Sequence, residues 1–128
     1  MIKDDAFDAI GGPTLGADPM IGALGAVSAA QGSPVRMFII RKEPKGHGRG
    51  QMIEGPELSE GSRVVLIDDV ATTGKAFIHS LDVLEKMGVT AVKCLCIVDR
   101  AEGGREAVEA RGCELLSIFT AQDFLNAD

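Results

Sequence analysis

The chain has 128 residues, 45% of them hydrophobic and 25% charged, which fits one compact domain and excludes a disordered or fibrous polypeptide. Thirteen basic against nineteen acidic residues leave a net charge of −6, the wrong sign for a protein that holds duplex nucleic acid by neutralising its phosphates. No apolar run approaches the roughly 18 residues of a membrane span, and Met1-Ile2-Lys3-Asp4-Asp5 lacks the basic-then-apolar order of a secretory leader; the expectation is a cytoplasmic domain with no membrane and no nucleic-acid partner.

Short apolar runs alternate with longer helical patterns, the signature of β-α-β units and a parallel sheet. A first strand over residues 7–10 leads into a glycine-rich turn, Gly11-Gly12-Pro13-Thr14-Leu15-Gly16. A helix follows, with Asp18 as N-cap, Pro19 at its first position and Gly32 as a left-handed stop. This helix carries no charge from Met20 to Gln31 and many small residues, which suits close packing on the sheet or a dimer interface.

A second strand covers residues 35–40. Residues 41–62 then read as a long irregular loop with glycines at 46, 48, 50 and 55, and loops of that length inside a compact domain serve as lids or binding loops. Within 36–50, Arg36, Arg41, Lys42, Lys45 and Arg49 face a single acid, Glu43. Such a cluster attracts a small polyanion whatever the global charge, because screening confines fields to about 8–10 Å.

The third strand, 63–67, reads Val-Val-Leu-Ile after Arg63, apolar on both faces like a central parallel strand. It delivers Asp68 and Asp69 to its carboxyl end, and Thr72-Thr73-Gly74 then opens a helix over 75–87 that places Phe77, Leu81 and Leu84 on one face and stops at Gly88. His79, mid-helix, reads as a surface or boundary residue. A strand over 91–98 holds Cys94 and Cys96 on one face; with Cys113 they make an odd set without zinc-ligand spacing, so buried structural thiols in a reducing compartment are expected. A helix over 104–111 ends at Gly112, a last strand covers 114–119, and a short helix starts at Thr120 with Asp123 completing an imperfect capping box. The predicted fold is α/β: an open, mainly parallel sheet of about five strands with helices on both faces, forming a single domain over 1–128.

The chemistry concentrates between Val64 and Ala76. In open α/β sheets, ligands bind at the carboxyl edge of the strands. There the Thr-Thr-Gly turn gathers backbone N–H groups, two hydroxyls and the positive end of a helix, which make a phosphate site. Two carboxylates beside a phosphate repel it unless they accept hydrogen bonds from sugar hydroxyls or face a magnesium ion carried by the ligand. A phosphorylated ribose meets both conditions. Neither glycine-rich segment has the Lys-Ser/Thr ending or strand-to-helix spacing of a nucleotide-binding fingerprint.

This stretch, Val64-Val65-Leu66-Ile67-Asp68-Asp69-Val70-Ala71-Thr72-Thr73-Gly74-Lys75-Ala76, resembles the phosphoribosyl pyrophosphate (PRPP) motif of type I phosphoribosyltransferases. Arg41-Lys42-Glu43-Pro44-Lys45-Gly46-His47-Gly48 resembles the mobile catalytic loop of the orotate phosphoribosyltransferases, and Gly11 to Pro19 resembles their pyrophosphate-side loop. The resemblance covers Asp8 to Phe124. It implies that Asp68 and Asp69 hold the ribose hydroxyls, that Val70, Ala71, Thr72, Thr73, Gly74, Lys75 and Ala76 complete the PRPP site around the 5-phosphate, and that Arg41, Lys42, Lys45 and His47 bind the pyrophosphate, with Gly12, Pro13 and Thr14 on its other side. Lys45, His47 and Asp69 would be the catalytic residues, and Thr72 and Arg100 would contact the base. Arg100 has Asp99 and Glu102 as alternative partners.

The implied reaction transfers phosphoribose from PRPP to orotate with release of pyrophosphate, using magnesium carried by PRPP, in a homodimer whose basic loops cross between subunits. A different acceptor base, or a non-catalytic PRPP- or nucleotide-binding module, are the alternatives. Members of the family carry a longer segment before the first strand, which forms a hood over the base. Six residues precede Phe7 here, so the expectation is the core without that hood.

Overall fold

Val64, Val65, Leu66 and Ile67 are all buried, and in the computed structural model, which describes residues 1–2, 5–46 and 51–127, they lie in a central strand of a single sheet. The strands are β1 (Ala9–Pro13), β2 (Arg36–Lys45), β3 (Gln51–Glu54), β4 (Arg63–Ala71), β5 (Thr90–Asp99) and β6 (Glu114–Thr120). Their order is β3-β2-β1-β4-β5-β6, with every neighbouring pair parallel except β2 and β3. The helices are α1 (Asp18–Ala30), α2 (Lys75–Lys86), α3 (Gly104–Glu109) and α4 (Ala121–Leu125).

Both faces are covered, as a parallel sheet requires. Phe77, Leu81 and Leu84 of α2 and Val108 of α3 pack with Phe38, Leu66, Cys94, Cys96, Cys113 and Leu115 on one face. Ala17 and Ile21 pack with Ile10, Val65 and Ile67 on the other. The three cysteines are buried free thiols; burial, with Asp99 nearby, pushes the Cys96 thiol up to about 11.

Among the described residues the sheet has six strands where about five were expected, and the differences have identifiable causes. The irregular loop over 41–62 resolves into the far part of β2 and a short antiparallel β3, joined through Ile39–Glu54, Ile40–Ile53 and Lys45–Gln51. Beyond Ile40, β1 no longer runs beside β2, and residues 41–45 form an arm that bulges away from β3 and rejoins it where Lys45 meets Gln51. Polar side chains and Pro44 are tolerated on such an arm, and they hide it from a periodicity search.

β1 spans Ala9–Pro13 rather than 7–10. Gly11 and Gly12 read as turn residues, yet they lie in a strand flanked on both sides. A Cβ on Gly11 would sit 2.5 Å from the Phe38 ring, and one on Gly12 would sit 2.0 Å from the Ile67 carbonyl oxygen. Asp18 is the first helical residue of α1, not its cap. Ala17 occupies the cap position, and Asp18 Oδ2 instead accepts the Thr14 hydroxyl at 2.9 Å. The helix stops Gly32, Gly88 and Gly112 all adopt positive φ. At Thr120, the backbone N–H and the hydroxyl both donate to Asp123.

Phe77 is 1% exposed between α2 and the sheet. Phe77→Ala is expected to lower unfolding free energy by about 3–5 kcal/mol, read from urea denaturation midpoints at unchanged slope.

Candidate functional site

The connections of this sheet reverse between β1 and β4: β1 leads through α1 to β2 on one side, and β4 leads through α2 to β5 on the other. α1 and α2 lie on opposite faces. Such a switch point leaves a crevice at the carboxyl ends of the strands. Here the crevice is deepened because β1 pairs with β4 only through Ala9–Val64, Ile10–Val65 and Gly11–Leu66, whereas β4 continues to Ala71 beside β5.

Asp68 and Asp69 therefore stand within β4, not after it, along the part that has lost β1 as a neighbour. Asp68 is 6% exposed and Asp69 is open to solvent. Asp68 Oδ1 accepts the Asp69 N–H at 2.9 Å, and Asp69 Oδ1 accepts the Val70 N–H at 2.8 Å. Against this pair lies Gly16. A Cβ there would be 2.6 Å from Asp69 Oδ1 and 2.8 Å from Asp68 Oδ1, so a larger residue in the loop after β1 would have to displace both carboxylates. Burial raises the Asp68 carboxyl to about 7; the neighbouring Asp69 side chain adds to the rise, and the Asp69 N–H partly offsets it.

On the other side of the same loop, Thr14, Asp18, Arg41, Lys42 and Glu54 line a cleft of about 470 Å³. Thr14 N–H bonds the Ile40 carbonyl at 2.9 Å. Arg41 and Lys45 reach Glu54 across the arm at 3.2 Å and 4.0 Å. Gly12 and Pro13 are buried in β1. His47 lies outside the described residues.

After Ala71 the chain turns through Thr72, Thr73 and Gly74 into α2. Gly74 has φ +86°, and no side chain caps the helix. The first helical bond runs from Ile78 N–H to the Gly74 carbonyl, so the N–H groups of Lys75, Ala76 and Phe77 have no partner within the helix and present a positive end. The turn packs tightly on the start of α3: Gly104 N–H bonds the Thr72 carbonyl at 3.0 Å, and a Cβ on Gly104 would lie 2.7 Å from that oxygen. Arg100 N–H bonds the Ala71 carbonyl at 2.9 Å, which sets Arg100 beside Thr72. Its guanidinium pairs with Glu102 at 3.0 Å.

The structure thus gathers Thr14, Arg41, Lys42, Lys45, Asp68, Asp69, Thr72 to Ala76 and Arg100 along one edge of the sheet. It adds residues not singled out from sequence, Gly104, Glu54 and Arg105, and gives Gly16 a contact with the acid pair and Asp99 an ion pair with Arg105. The Gly103-Gly104 pair and an acid ending a buried strand were the available signals, since a buried charge demands a partner. His79, half-buried, donates from Nε2 to the Arg41 carbonyl at 2.8 Å, tying α2 to the base of the arm. A cavity of about 790 Å³ lies between that arm and α2; its lining includes His79 and Lys42 but neither acid of the pair. Of the groups gathered at the sheet edge, Lys42 lines this cavity while Asp68, Asp69 and the residues of the Thr72–Ala76 turn do not.

The family model for the phosphoribosyl transferase domain matches residues 9–122. The chain is 44% identical to the orotate phosphoribosyltransferase of Synechocystis sp. over 119 residues, covering 93% of this chain and 60% of that protein. It is 41% identical to the Aquifex aeolicus orotate phosphoribosyltransferase over 125 residues, covering 98% and 68%. The crystal structure of Mycobacterium tuberculosis orotate phosphoribosyltransferase in complex with PRPP matches with a TM-score of 0.79 at 34% identity, over 95% of this chain and 68% of that one.

The raised Asp68 carboxyl sets a pH dependence of stability. Folding strengthens proton binding there, so the stabilisation is fully present below the ordinary carboxyl value of 3.8 and is lost as pH rises through about 7. Unfolding free energy is expected to fall by about 1 kcal/mol from this group between pH 6 and 8. Urea titrations should show that increment in the native chain and not in Asp68→Asn.

Proposed function

The chain belongs to the phosphoribosyl transferase family, and from that premise we propose that it transfers 5-phosphoribose from PRPP to orotate, releasing pyrophosphate. One observation carries the reading: a carboxylate pair and an uncapped helix amino end flank the switch-point crevice, with a cationic arm joined to them through the Thr14–Gly16 loop. The residues Thr72 to Ala76 would hold the 5-phosphate at the start of α2, where N–H groups and the helix dipole favour an anion. Asp68 and Asp69 would accept hydrogen bonds from the ribose hydroxyls.

Breaking the bond from the anomeric carbon to the diphosphate oxygen leaves a cationic, oxocarbenium-like sugar and puts charge on the departing group. Arg41, Lys42 and Lys45, with His47, would receive that charge, and such contacts count most where they strengthen in the transition state. Engagement of Arg41 and Lys45 with Glu54 means both must exchange a protein partner for the diphosphate. A ring nitrogen of the base then bonds to the anomeric carbon, and Arg100 would pair with the base's carboxylate through its planar fork.

Asp68 and Asp69 also suit magnesium, a hard cation that keeps waters and takes one or two carboxylates together with substrate phosphates; Asp69, open to solvent, would be the carboxylate that reaches it. When bound, the ion would neutralise diphosphate charge. A homodimer is supported by an arm that projects past its own sheet and by the uncharged outer surface of α1, where Leu24 and Val27 are exposed. A cytoplasmic setting agrees with three unpaired thiols and, among the described residues, no helix long and apolar enough to cross a membrane.

PRPP-dependent pyrophosphate release, assayed against a panel of bases, is expected to require orotate; PRPP binding without turnover would favour the binding-module alternative. Asp68→Asn and Asp69→Asn should each weaken PRPP binding sharply in calorimetry, and an unchanged dissociation constant would refute the ribose role. Lys45→Ala should cost about 2–4 kcal/mol in kcat, the range for losing a donor to developing negative charge. Rates within about twofold of the native chain would remove Lys45 from the catalytic set.

A further inference from the structure

Asp99 ends β5 at 4% exposure, a buried charge with a built set of partners. Its Oδ1 accepts the Ala101 N–H at 2.9 Å, and its Oδ2 accepts both Nε and a terminal nitrogen of Arg105 at 3.0 Å. Arg105 reaches on to β6, donating to the Leu115 carbonyl and, at 3.2 Å, to the Ser117 hydroxyl. Between these two residues the chain makes a turn with two left-handed positions. Gly103, at φ +96°, adopts its conformation without penalty, but Ala101 sits at φ +57°, which disfavours any residue bearing a Cβ. The turn is fastened at both ends to the segment after β4, through Arg100 N–H to the Ala71 carbonyl and Gly104 N–H to the Thr72 carbonyl.

From this arrangement we infer that Asp99 and Arg105 are positioning residues: they hold the 99–104 turn in its strained form so that Arg100 leaves the backbone at a set place and direction. The inference rests on the reading above, in which Arg100 pairs with a carboxylate on the base. Arg100 has a long side chain, exposed and resting on Glu102. A two-point fork onto a planar acid tolerates errors of only about 0.5 Å, so its root must not wander. Selectivity for an acidic base over a neutral one would then depend on Arg105, a residue that touches neither. The 5-phosphate site, built on α2, would depend on it far less.

The test measures affinity, so it needs no turnover. Calorimetry compares orotidine 5-phosphate, uridine 5-phosphate, which lacks the carboxylate, and ribose 5-phosphate, which lacks the base. The native chain is expected to prefer the first over the second by at least about tenfold, as a charge-assisted two-point contact gives. Arg105→Met should shrink that preference to within about threefold while ribose 5-phosphate affinity moves less than about threefold. Adding Ala101→Gly should win back at least about threefold of the preference, because glycine adopts positive φ without the clamp.

A folded Arg105→Met chain with its preference intact would overturn the inference. So would equal losses on all three ligands, or a double variant no better than the single one. Arg100→Ala separates the two levels: loss of preference there but not in Arg105→Met sinks the clamp alone, whereas unchanged preference in Arg100→Ala sinks the base reading and the clamp with it. If circular dichroism shows Arg105→Met unfolded, Arg105→Lys carries the same criteria, since one charged donor cannot span Asp99, Leu115 and Ser117.

Discussion

Past Gly11 the first strand gives up β4 as a partner, although β4 itself runs on to Ala71 alongside β5, and the gap this opens at the centre of the sheet is what the candidate site depends on. Had the two strands ended level, backbone ladder bonds would have filled the place where Asp68 and Asp69 stand. The loop that leaves β1 instead folds back over them at Gly16 and meets the arm of β2 at Thr14. Unequal strand lengths thus convert a packed interior into a lined opening without any loss of core, since Val64 to Ile67 stay fully covered on both faces.

That opening is held by close backbone approaches more than by side-chain bonds. Gly12 against Ile67, Gly16 against the acid pair and Gly104 against Thr72 each leave less space than a methyl group needs. Three loops from three different strands are thereby pressed together at fixed spacing, the kind of rigidity a site needs when its ligand must be held to fractions of an ångström. Asp68 is the member that suffers: it is buried beside another acid, among the described residues without a cation bonded to it, and burial raises its carboxyl to about 7. Stability is surrendered at a point where a ligand's hydroxyls or cation would repay it.

The core and the turn into α2 were legible because their signals are local. An unbroken apolar run, two acids and Thr-Thr-Gly ahead of an amphipathic helix fall within thirteen residues, and each part has one dominant physical reading. What escaped was set by partners distant in the chain. Residues 41–45 become a strand because Gln51–Glu54 lies beside them, not because of their own alternation. Gly11 and Gly12 become strand because Phe38 and Ile67 crowd them, and Asp99 is satisfied by Arg105 rather than by the adjacent Arg100. Asp18 read as a cap by composition, but Thr14 was close enough to claim its carboxylate.

Placing β1 between β2 and β4 also has a consequence for how the polypeptide reaches its native state. Both neighbours of β1 are translated after it, and the later one begins some fifty residues downstream at Arg63, whose backbone N–H bonds Asp8 at 2.8 Å. The earliest strand therefore waits for the fourth to be secured on both flanks, and until β4 arrives its glycine-rich backbone has one flank without ladder bonds. Parallel pairings of this separation are slow to form because chain-closure entropy must be met before they contribute. The crevice and the completed sheet consequently come into being together, so that a molecule caught short of full assembly would lack the candidate site entirely rather than possess a weakened one.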